Sequence, residues 1–149
     1  MVLNYLDKYR DIGLLFLRIG FGLMFIYHGY PKISGGVAGW ERLGSVAMPH
    51  LGVTFLPAFW GFMAAAAEFL GGLLLLLGFF FRPACILLAI TMATAVTMKF
   101  SVGAGLTGAA PALEDGIVFL SLILIGPGKY SLDTMFSKSS NQCKGYGRS

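Results

Sequence analysis

Residues Phe59–Arg82 read FWGFMAAAAEFLGGLLLLLGFFFR, and from Phe59 to Phe81 every residue is apolar or glycine except Glu68. At about 1.5 Å of rise per residue such a helix crosses the hydrocarbon core of a bilayer. Arg82 closes the run with a charge, and Pro83 opens the next segment. A carboxylate near the centre of a span costs about 2.5–3.5 kcal/mol of insertion free energy, which the surrounding Leu and Phe residues offset. The segment therefore inserts, and Glu68 is the residue whose presence asks for a reason.

The rest of the chain agrees. It is 56% hydrophobic and only 12% charged, with a mean hydropathy of +0.76, whereas a soluble domain carries about 25% charged residues. The 21 glycines suit a protein whose helices approach closely within lipid. The net charge of +4 does not indicate nucleic acid, because no basic stripe interleaved with aromatics is present. Cys85 lies in an apolar run and Cys143 in a polar tail, with no CxxC, so neither a disulfide framework nor a zinc site is indicated.

Outward from Phe59–Arg82, three more spans follow from the same pattern. The first covers about residues 12–30. It is read as a retained span because it contains Arg18 and lacks an A-x-A site. Helical spacing places Leu14, Arg18, Gly22, Phe25 and Gly29 on one face, and Gly29 and Pro31 are expected to stop the helix before Lys32. Residues 57–81 and 83–100 form the second and third spans. A Gly/Ala loop follows, and the fourth span runs over about 109–126, with Glu114 and Asp115 in its first turns. GPG at Gly126–Gly128 breaks that helix.

Between the first two spans, Val37, Trp40, Leu43 and Ala47 recur at helical intervals within a glycine-containing connection. The stretch reads either as a short interfacial helix or as a solvated loop. The expected architecture is all-α: residues 1–133 form an integral membrane four-helix bundle with short loops and one longer outer loop. Residues 134–149 form a polar, basic, disordered tail. Seven basic residues (Lys8, Arg10, Arg82, Lys129, Lys138, Lys144, Arg148) fall on the side of both termini, against three (Lys32, Arg42, Lys99) on the other. That asymmetry places the N- and C-termini in the cytoplasm.

The ionisable residues fall into two expected layers. Arg18, about six residues in from the cytoplasmic end of the first span, and Glu68, near the middle of the second, are offset by about 5 Å. They are expected to form an intramembrane ion pair, either a structural lock or part of an active site; the alternative is separate fates, with Arg18 snorkelling to the surface. His28, Lys32, Lys99, Glu114 and Asp115 gather at the outer helix ends, either as a ligand-binding polar cluster or as ordinary interface charges and helix-dipole partners. With only His28 and His50 as histidines, a haem site is not supported. No P-loop, GxGxxG or metal-ligand cluster occurs, so no metal and no covalent cofactor are implied, and no catalytic residue is assigned.

Three motifs in order carry a family resemblance. They are LLRIGFGLMFIYHGYPK with Arg18, Gly22, His28, Gly29 and Lys32; AEFLGGLLLLLGFFFRPA with Glu68, Gly71, Gly72, Gly78 and Arg82; and GPGKYSLD with Gly126, Pro127, Gly128, Ser131 and Asp133. Over about Leu14–Asp133 the chain resembles the DoxX family of small bacterial membrane proteins. The resemblance implies four transmembrane helices in the inner membrane. The family takes its name from a subunit of a membrane thiosulfate:quinone oxidoreductase, and other members are linked to thiol and oxidant handling. It thus implies a membrane subunit of a redox complex interacting with quinone or quinol, with a protein partner carrying the redox centre.

Quinone chemistry needs an apolar slot and a proton-exchanging group, which Glu68, His28 or Glu114 could supply. The alternative is a non-enzymatic scaffold or assembly subunit. A small-solute carrier fits less well, since four helices leave little room for alternating access unless the chain forms a homo-oligomer.

Overall fold

The computed structural model describes residues 4–137. Lys138, Lys144, Arg148 and Cys143, and with them the expectation for most of the tail, lie outside the described residues. A 3-10 turn, Asn4–Tyr9, leads into α1, Arg10–Ser34. Then come α2, Gly36–Ala47, a 3-10 turn at Met48–Leu51, α3, Pro57–Leu77, α4, Phe81–Ser101, and α5, Gly105–Ile125. Residues 132–137 add a final helical turn-and-a-half, and no strand occurs among the described residues. α1, α3, α4 and α5 are each long and apolar enough to cross a membrane. The protein is an all-α, multi-pass membrane bundle.

The residues that helical spacing groups on α1 are the ones the fold buries: Leu14, Arg18, Gly22, Phe25 and Gly29. That face meets α3. A Cβ on Gly22 would strike Leu76, and one on Gly29 would strike the Phe69 backbone. The two helices therefore touch backbone to backbone, as glycine permits in lipid. α4 packs on both α3 and α5, and the core runs through Leu75, Phe81, Leu88, Met92, Phe119 and Leu122. Phe25 closes α1 onto α5 by an edge-to-face contact with Phe119, centroids 5.0 Å apart. Large apolar side chains such as Phe16 and Leu124 point outward, as a lipid-facing surface requires.

Several expected boundaries shift. α1 does not stop at Gly29 or Pro31 but runs to Ser34. Pro31 is exposed, so its ring points away from the bundle. Gly29 is spent on contact with α3 rather than on a turn, and the break falls at Gly36, with φ +64°. The connection after it is a helix, α2, settled by two glycine contacts: Gly44 lies over Pro57, and Gly61 over the Trp40 backbone. The Trp40 indole donates to the Lys32 carbonyl at 3.1 Å, holding the last turn of α1.

α3 ends at Leu77, not Phe81, and α4 begins at Phe81, not Pro83. The turn between them needs left-handed backbone at Gly78 (φ +64°) and Phe80 (φ +46°). Asp133 holds it from a distance: its two carboxylate oxygens accept from the Phe80 and Phe81 amides, each at 2.9 Å, and its own amide donates to Gly78 O. α5 starts at Gly105, so most of the expected Gly/Ala loop is helix. Ala109, fully buried, packs its first turns into the bundle. Glu114 and Asp115 consequently sit mid-helix, too far from the N-terminus to serve its dipole.

The candidate polar layer and the arginine node

The start of α1 and the end of α5 meet at one end of the bundle, here the proximal end; α2 and the α4–α5 turn form the distal end. Arg18 lies toward the proximal end and is 2% exposed. Its Nε donates to Leu75 O (3.1 Å) and Nη2 to Leu76 O (3.0 Å), while Nη1 donates to Pro127 O (3.0 Å) and Tyr130 O (2.9 Å). Leu75 and Leu76 belong to the last turn of α3, whose dipole favours a cation; Leu75 O also accepts from the Gly78 amide at 3.2 Å, and the terminal carbonyls have room for the guanidinium. The planar guanidinium bridges that turn to the GPGKY loop, where one ammonium could not reach both. Gly78 is required here, since a Cβ would enter the guanidinium. Asp11 completes the node by accepting from the Lys129 amide at 3.0 Å, and Ser131 ties the loop to Thr134.

The expected Arg18–Glu68 pair is therefore not formed. Gly29 lies against Phe69, which sets Glu68 beside residue 29, about eleven residues from Arg18, or about 17 Å along the helix. Equal depth would require α1 and α3 to end together. Instead the first two turns of α1 extend past the end of α3 and pack on the GPGKY loop, with Gly128 against Leu14 and Asp11.

Glu68, 6% exposed, pairs with Lys32: Nζ lies 2.6 Å from Oε1 and 2.5 Å from Oε2. The lysine side chain is 38% exposed and the glutamate side chain 9%, so the pair links the bundle interior to the distal surface. Among the described residues this is the one salt bridge.

The contacts of neighbouring residues fix what shares this depth. Gly71 touches Leu88, and Gly116 faces Met92, so Glu68 is level with Met92 and Gly116 to within a helical turn. Phe25 meets Phe119, which brings His28 level with Asp115. The Asp115 carboxylate is within Coulombic range of the His28 imidazole. A single layer thus holds Glu68, Lys32, His28 and Asp115, with Phe25, Met92 and Phe119 as apolar neighbours. Asp115 is half-buried, while Glu114 is exposed, about 100° around α5 from its neighbour. Lys99 is exposed and two turns beyond Met92, so it does not join the layer, whereas Glu114 and His28 share its depth from the exposed sides of their helices.

The depth holds one carboxylate–amine pair inside the bundle, a second, half-buried carboxylate at Asp115 and the exposed imidazole of His28, and such groups can hand protons to a bound ligand. No set of three His, Cys, Asp or Glu able to hold a metal ion occurs among the described residues. An apolar groove of about 570 Å³ runs down the seam of α4 and α5, lined by residues including Ala89, Ala93, Val96, Ala112, Gly116 and Leu120. It opens on the lipid side of α5, on a face different from that of Asp115. The roles of Asp133 and of the carbonyls around Arg18 were not anticipated from sequence. Their one signal was an acid seven residues past the start of GPG, in a stretch otherwise read as a helix stop.

The DoxX family profile matches residues 13–103 of the chain. A protein of Haemophilus influenzae is 33% identical over 143 residues, covering 91% of this chain and 99% of that protein. Inner membrane protein YqjF of Escherichia coli is 33% identical over 136 residues, covering 89% and 98%. Putative oxidoreductase CatD of Bacillus subtilis is 32% identical over 91 residues, 61% of this chain and 62% of that protein. No solved structure matches.

Proposed function

The chain belongs to the DoxX family, and from that premise we propose that it is the membrane subunit of a bacterial inner-membrane redox complex that exchanges protons with a quinone or quinol. The observation that carries this reading is the buried Glu68 carboxylate paired with the half-exposed Lys32, with the half-buried Asp115 and the exposed His28 at the same depth of an otherwise apolar bundle. Reduction of a quinone to quinol consumes two electrons and two protons. In this reading the layer relays the protons, and a redox centre in a partner protein supplies the electrons. The name of the Bacillus relative, putative oxidoreductase, and those of the Escherichia relatives, inner membrane proteins, support the chemistry and the location. The basic residues gathered at the proximal end support a cytoplasmic location for that end, and in this reading the layer lies nearer the outer face.

A second reading, a non-enzymatic scaffold or assembly subunit, is favoured by the Arg18 node, where a buried charge commits four of its five N–H donors to holding helices and loop together. Mass spectrometry of the gently purified complex separates the two. Quinone bound at a fixed ratio, together with a partner bearing a redox centre, supports the redox subunit. A stable complex without quinone, whose activity survives neutralisation of Glu68 and Asp115, supports the scaffold.

A further inference from the structure

A second cavity, of about 660 Å³, opens at the proximal end, where the α3–α4 turn meets the segment after GPGKY. Its walls include Phe80, Arg82, Pro83, Pro127, Thr134 and Ser137. Its position at the ends of α3 and α4 sets it at the depth of lipid headgroups. Arg82 is exposed and has no acidic partner among the described residues. Asp133 also borders the cavity, but both of its oxygens already accept backbone amides of the α4 N-terminus. The Ser137 hydroxyl makes no hydrogen bond to another described residue.

From this arrangement we infer that the cavity binds the headgroup of an anionic phospholipid, with the phosphate on Arg82 and an acyl chain beside Phe80. The apolar rim argues for a lipid over a free anion: Phe80 is 58% exposed, and Met135 and Phe136 stand out nearby at 64% and 62%. A soluble phosphate would gain nothing from that surface, whereas an amphipathic ligand covers it. Lys8, Arg10 and Lys129 are exposed at the same end and add a positive field that falls off within a Debye length. The field concentrates anionic lipid, and Arg82, the cation that lines the cavity, selects where it is held. The site is independent of the polar layer and of the quinone reading.

The full chain in mild detergent, titrated with phosphatidylglycerol or phosphatidylcholine and read by native mass spectrometry, tests the inference. One phosphatidylglycerol is expected to be retained in preference to phosphatidylcholine. Arg82→Gln should lower that retention about fivefold, the factor expected for one interfacial cation, and leave phosphatidylcholine unchanged. Arg82→Lys, which keeps the charge, should retain at least half of the preference. Excess inorganic phosphate should not displace the lipid. Equal retention of the two lipids, wild-type retention by Arg82→Gln, equal loss in the Gln and Lys variants, or displacement by inorganic phosphate would each overturn the assignment.

Discussion

Arg18 and Glu68 are both charged side chains buried inside a membrane bundle, yet the chain treats them in opposite ways. Arg18 makes no salt bridge, with Asp133 only within Coulombic range; four backbone carbonyls from two segments take four of its donors. Glu68 meets a lysine that is itself more than a third exposed, with His28 and Asp115 at the same depth. A guanidinium with four of its five N–H donors on main-chain oxygens cannot lose its proton in practice. A carboxylate held by one half-exposed amine has lone pairs to spare and a route to the surface. The first arrangement is suited to fastening, the second to chemistry.

If that contrast is right, Arg18→Leu should show the largest loss of stability. It leaves several buried carbonyls without donors, at about 1–3 kcal/mol each and less than additively, so a total of about 4 kcal/mol is expected in thermal unfolding of the purified protein. Arg18→Lys should recover less than half, since an ammonium cannot span the α3 terminus and the GPGKY loop together. A lysine variant as stable as wild type would show that charge alone suffices there.

The Lys32–Glu68 pair should behave asymmetrically. Lys32→Leu strands a buried carboxylate and should cost about 2–3 kcal/mol, below the range for a fully buried pair because the lysine is partly solvated. Glu68→Leu leaves a lysine able to turn to the surface and should cost about 1 kcal/mol. The double substitution should cost no more than Lys32→Leu alone. Strict additivity in this cycle would mean that the two side chains do not interact.

Asp133→Ala removes the acceptor for two amides at the start of α4 and should cost about 1–2 kcal/mol, the range for loss of an N-terminal cap. It should do so without altering ligand binding at the polar layer. The smallest effect belongs to Glu114→Gln, expected within about 0.5 kcal/mol of wild type, as for other exposed substitutions. Asp115→Asn should also insert and unfold normally but weaken binding of a quinone analogue. Equal behaviour of the two variants in that binding assay would remove Asp115 from the layer.

Much of the bundle was legible because a bilayer imposes length and apolarity on each span. The buried face of α1 could be read residue by residue from its period. Depth could not, because it depends on where each helix ends relative to its neighbour. α1 overshoots α3 to meet the GPGKY loop, and that overshoot moved Glu68 away from Arg18 and toward Lys32. The mid-helix position of Glu114 and Asp115 was hidden for a related reason: Gly105–Ala110 is a weak helix by composition that forms because Ala109 packs into the bundle. Asp133 was invisible because its partners, the Phe80 and Phe81 amides, are more than fifty residues away.

The central claim, that the Glu68 layer exchanges protons with a quinone while the Arg18 node only holds the fold, is met most directly by one titration. Purified wild-type and Glu68→Gln proteins are titrated with a water-soluble quinone analogue, with thermal unfolding measured on the same samples. Gln keeps the shape of the side chain and still accepts from Lys32 but cannot donate an acidic proton. The account predicts unfolding temperatures within a few degrees of each other and at least about tenfold weaker binding by the variant, a loss of about 1.4 kcal/mol. Equal affinity in the two proteins, or no binding by either, would contradict it.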